Sequence, residues 1–135
     1  MVLFRSLSLL ALLALASPAA AQGLDVPVTV GGEAELDACD AVGEIVGLDP
    51  RGDNFLSVRS GPGGTPYREI DRLHTGDKVR LCEARGPWRG VVYAPRDRTG
   101  GAECGVSSPI PRRAPYAGPC RAGWIHHRYV RSMAG

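Results

Sequence analysis

The chain has 135 residues, with 16 Lys and Arg against 14 Asp and Glu, for a formal net charge of +2. Its 18 Gly and 11 Pro exceed a fifth of the residues, and no segment keeps a helical period, which argues against a helical domain. No apolar run beyond the first residues approaches the roughly 20 that a membrane helix needs.

Met1 to Arg5 give a short start with one positive charge, and Leu7 to Ala16 follow as an apolar run. Small residues at Ala19-Ala20-Ala21 complete the three-part pattern of a secretory signal peptide, residues 1–21, cut after Ala21. No Cys stands just after that point, so no lipid or other membrane anchor is expected. The mature chain is expected in the periplasm or secreted. Its length suits one small domain with a modest core. Four cysteines in an exported chain read as two disulfides, with three possible pairings. Their wide scatter does not match the close Cys pairs of a structural zinc site, so no metal is expected.

Residues 22–38 read as an acidic, loosely held arm, in which Val26, Val28 and Val30 fit a short edge strand. All charges from Gln22 to Pro50 are negative, whereas Arg dominates from Gly86 onward. Acidic chain lying over a basic face, or ordinary solvated charge, accounts for this without a specific anionic partner. Val42, Ile45, Val46 and Leu48 predict a first strand. "DPRGDN", 49–54, is turn chemistry, which also accounts for the Arg-Gly-Asp tripeptide within it. "FLSVRS", 55–60, alternates as a half-buried strand and runs into the Gly/Pro stretch 61–66. "YREIDRL", 67–73, reads as an irregular return. Strands are predicted again over 78–84, 88–94 and 123–130. Between the last two lies a long loop, 95–122, holding Pro109, Pro111, Pro115 and Pro119. Short strands separated by turn signals give an all-β fold.

"LSVRSGPG", the Tyr67/Ile70/Leu73/Gly76-Asp77-Lys78-Val79 series, "WRGVVY" and "GWIHHRYV" together resemble the bacterial SH3 domain. The resemblance covers about Val42 to Val130. It implies a small SH3-like barrel over residues 39–133, with the Pro-rich loop 95–122 inserted before the last strand. It also implies a groove bordered by the 60–66 loop. Ser57 stands where the family usually has Asn, and Gly63 where it usually has Ser. Cys104 and Cys120 are expected to close the insertion on itself, which leaves Cys39 to pair with Cys82.

Nothing in the sequence assembles a nucleophile with a base, so no catalytic residue and no cofactor is expected. His126 and His127, adjacent in a predicted strand, are expected to face opposite ways. The aromatic residues Tyr67, Trp88 and Trp124 with Arg59 and Arg128 are the candidate ligand-binding set. Rings give apolar walls, and a guanidinium binds a carboxylate through two parallel bonds. Trp88 and Trp124 at strand starts also suit plain packing. The expected function is a non-catalytic binding module for cell-wall (peptidoglycan) peptides. The alternative is a periplasmic protein-interaction or scaffold protein that uses the insertion. Nucleic acid is not an expected partner, because no basic stacking platform is present.

Overall fold

The computed structural model describes residues 11–13 and 23–133. Of the expected signal peptide, only 11–13 lie within that range; they are exposed and have no regular structure. Nine strands follow in chain order: β1 (Thr29–Val30), β2 (Ala41–Ile45), β3 (Leu56–Arg59), β4 (Glu69–Leu73), β5 (Lys78–Arg85), β6 (Trp88–Tyr93), β7 (Ala114–Pro115), β8 (Arg121–His126) and β9 (Val130–Met133). The fold is all-β. Seven strands make one antiparallel sheet in the order β4-β3-β8-β6-β5-β2-β9, and β1 pairs with β7 in a separate ribbon. The sheet is open, with β4 and β9 at its edges.

Alternation sets which side chains turn inward. Leu56 and Val58 on β3 are buried while Ser57 and Arg59 are half-buried. They join Ile45, Leu73, Val79, Val91, Tyr93 and Ile125 in one inner cluster. Six strands contribute to that cluster, from β4 at one edge of the sheet to β2 next to the other. β6 and β8 are buried on both faces. Val91 and Tyr93 face the inner cluster, whereas Val92, Ala122 and Trp124 belong to an outer one. This explains why "WRGVVY" reads as a nearly continuous apolar run.

The outer cluster is closed by chain from outside the large sheet. Leu24, Val28 and Val30 come from the N-terminal arm, and Cys104, Val106, Tyr116 and Cys120 from the segment between β6 and β8. Residues 24–30 of the arm are therefore not loosely held, whereas 33–37 are exposed. Val28 is 1% exposed and Val30 4%. Burying a Val side chain stabilises by about 1.5–3 kcal/mol, which is enough to fix a short segment. Cys39 is bonded to Cys82 and Cys104 to Cys120, the expected pairing. Two disulfides fit an oxidising compartment.

Two further segments differ from expectation. Residues 69–73 form a regular strand, β4, and not an irregular return. β4 is an edge strand and its register with β3 shifts at Val58/Arg59, so its pattern of exposure is mixed. The last predicted strand is two strands, β8 and β9, separated by a 3₁₀ turn at His127–Tyr129. That turn carries the chain from pairing with β6 to pairing with β2.

Candidate functional site

The loop between β2 and β3 folds back over the 3₁₀ turn. Val46 N–H donates to the Tyr129 carbonyl at 2.9 Å. Gly47 has φ +73°, a left-handed conformation that favours glycine, and a side chain there would point at the Tyr129 ring. Asp49 then organises the bend. One of its carboxylate oxygens accepts from Arg51 N–H at 2.9 Å, and its carbonyl accepts from Gly52 N–H. Between this loop and the turn lies a cavity of about 450 Å³ lined by Leu48, Asp49, Asp53, Phe55, Arg128 and Tyr129, with Gly47 and Gly52. That volume falls in the range of small-ligand sites.

The walls are fixed from behind. The Arg72 guanidinium lies 3.9 Å over the Phe55 ring centre. Arg72 is itself paired with Glu69 at 2.6 Å, and Ser57 Oγ donates to the same carboxylate. Those two bonds, Ser57 first, hold the Glu69 carboxyl below its ordinary range. Tyr129 meets the His126 ring edge-on, and His126 meets Trp88 in the same way at 5.4 Å. His126 Nδ1 accepts from Arg128 N–H at 3.1 Å. Burial, then the nearby His127, Arg128 and Arg89, lower the His126 pKa, which suits the neutral, accepting ring.

The five expected ligand residues are not brought to one groove. Arg128 is exposed and lines the cavity. Trp88 is half-buried, packs on the outer core and reaches the cavity only through His126 and Tyr129. Arg59 and Tyr67 adjoin each other elsewhere, with Arg59 Nη1 3.5 Å from the Tyr67 carbonyl. The Tyr67 ring lies against Gly61 and Gly63, where a Cβ on Gly61 would strike it. The glycines of "SGPGG" therefore make room for a ring of their own loop. Trp124 is fully buried and donates its indole N–H to the Val26 carbonyl at 2.9 Å. It walls no open groove, because the N-terminal arm covers it.

The two histidines also differ from expectation. β8 ends at His126 and His127 begins the 3₁₀ turn, so strand alternation stops between them. Their rings stack at 5.1 Å on one side. Among the described residues no three His, Cys, Asp or Glu are grouped as a metal site would need. Asp49, Asp53 and Phe55 escaped sequence reasoning because "DPRGDNF" satisfies turn chemistry by itself. The signal that could have found them is Phe55, an aromatic residue placed just ahead of the buried alternation of β3.

No family model, curated protein or solved structure matches the chain.

Proposed function

We propose that this is an exported, non-catalytic binding module of the bacterial SH3 type, with an acidic arm at 22–38 and an SH3-like barrel over 39–133. Its ligand is a cell-wall stem peptide held in the cavity between the 47–55 loop and Arg128–Tyr129. The observation that carries this is the composition of that cavity. Phe55, Leu48 and Tyr129 supply apolar walls, and Asp49 and Asp53 share it with Arg128. A short peptide with both ammonium and carboxylate groups meets each requirement, with Arg128 taking the carboxylate. The inner cluster shared by six strands and the motifs of the sequence support the barrel reading.

The test is titration of the mature protein with soluble wall fragments. Arg128→Ala should weaken binding by roughly 1.5–3 kcal/mol, the range for a hydrogen bond to a charged group. Its fold stability should change by less than about 0.5 kcal/mol, as expected of an exposed residue. Arg59→Ala should leave affinity unchanged. No binding by the wild type removes the proposal. A second reading, a periplasmic protein docked on the insertion, draws on a separate cavity of about 300 Å³ where Pro95 and Arg96 meet Glu103 and Pro119. Absence of binding to sacculi, together with a specific cross-link through Arg96 or Glu103, favours that reading.

A further inference from the structure

The arm from Gly23 to Val30 is held in the way a bound peptide is held. Leu24, Val28 and Val30 are buried and Val26 is half-buried, so every second side chain enters the outer core. Its backbone is gripped by groups from five separate places. Arg68 Nη2 donates to the Gly23 carbonyl at 2.8 Å. The Ser60 carbonyl accepts from Asp25 and Val26 N–H at 2.9 and 3.1 Å. Trp124 Nε1 donates to the Val26 carbonyl. Tyr116 N–H donates to the Val28 carbonyl at 2.8 Å, and Glu83 Oε1 accepts from Thr29 N–H at 2.9 Å. Three of these five are side chains aimed at main chain. The end of the arm also pairs with β7 as a strand, and an extended peptide added to a sheet is likewise held through its main chain, which leaves its sequence partly free.

Two polar groups under the arm turn toward it. Ser60 is fully buried, and its hydroxyl donates to the Asp25 carboxylate, which also faces Arg68 at 3.6 Å. The buried Trp124 indole can only donate, and without the arm it would lack its partner. The arm itself has no covalent tie to this surface, since residues 23–32 contain no Cys. It leaves through Gly31 and Gly32, at φ +79° and +107°, into a fully exposed run over residues 33–37. The site lies on the outer face of the sheet, apart from the cavity at Tyr129, so it does not depend on the function proposed above.

We propose that residues 23–30 are a tethered ligand, and that the surface beneath them is an acceptor for an extended peptide supplied in trans. The partner is a protein segment of the arm's own chemistry: aliphatic residues at alternate positions, with a carboxylate after the first of them. While docked, the arm closes this acceptor. An incoming segment must compete with a covalently attached rival whose effective concentration is in the millimolar range.

The test places a protease site in the exposed 33–37 loop of the otherwise intact mature protein and cuts it there. The probe is a fluorescent synthetic peptide of residues 23–32. The cut protein is expected to keep its circular dichroism and both disulfides, to release the arm on dilution and to bind the probe. Excess unlabelled peptide should displace the probe, and uncut protein should take up none. A probe carrying Asp25→Ala should bind about tenfold more weakly, and one carrying Val28→Asp should not bind measurably. Loss of fold on cutting overturns the proposal, because the arm is then an integral part of the core. So does an arm that never exchanges. A cut protein that pairs into dimers by size-exclusion chromatography also overturns it, by making a second copy the occupant.

Discussion

The inner core takes every buried residue from strands of the sheet, from Ile45 on β2 to Ile125 on β8, whereas the outer core borrows most of its residues from outside that sheet. The inner side is drawn together by strand pairing, with Tyr93 and Arg98 both bonded to Asp71 of β4. The outer side is assembled from the arm, the 38–39 segment and the chain between β6 and β8, and both disulfides lie within it or at its edge. Its polar groups act as fasteners. Glu83, whose side chain is 5% exposed, accepts from Thr29 of the arm and pairs with Arg113 and Arg85. The Tyr116 hydroxyl donates to the Cys104 carbonyl and accepts from Cys120 N–H. Two faces of one sheet therefore differ in how local their support is. The face built from distant segments should open first, since local stability follows the density of such contacts.

The sharpest way to break this comparison is Trp124→Ala. Removing a fully buried Trp should cost about 3–5 kcal/mol, with hydrogen-exchange protection lost at the arm and insertion while the β2–β5 pair keeps its own. Equal loss on both faces would show one undivided core. Replacing Cys104 and Cys120 by Ser should cost about 3 kcal/mol, from the chain entropy of a loop of about 15 residues. The drop should appear in the urea midpoint, and the wall-fragment binding proposed for the Tyr129 cavity should survive it. Glu83→Leu should cost about 1–3 kcal/mol, because Thr29 N–H loses its acceptor. An unchanged midpoint would remove Glu83 as a fastener. The smallest effect concerns pH. The folded His126 pKa lies below its ordinary 6.5, because burial and cationic neighbours oppose protonation. Its contribution to stability is therefore complete above about pH 6.5 and is lost as pH falls through the lowered folded value. His126→Gln should flatten that part of the stability–pH curve. Superimposable curves for the two proteins would refute the assignment.

The inner face was legible because its strands alternate over short windows. Leu56/Val58 on β3 announces itself within four residues, and Val79/Leu81 does so on β5. The outer face was not, because its partners are far apart in sequence. Val26 and Trp124, 98 residues apart, give no local sign of meeting. Trp124 thus read as a groove wall or, more readily, as packing, and the position of the arm decides for packing. The candidate site was half legible. Arg128 was identified from its charge, but Phe55 and the two aspartates hid in a loop whose turn chemistry explained them locally. β4 was missed because an edge strand lacks the clean alternation of one with two neighbours.

The same separation of 98 residues has a consequence for biosynthesis. A chain is made from its N-terminus, so Val26 is made 98 residues before Trp124. At synthesis rates of about 5–20 residues per second, the valines of the arm wait several seconds before their covering surface exists. During that interval "VPVTV" is an uncovered apolar β-segment, and Pro27 interrupts it at its second position. A proline removes one ladder donor and blunts pairing with other chains. Pro27 thus guards the nascent arm against association, a task that ends when β8 is delivered and Trp124 closes over Val26.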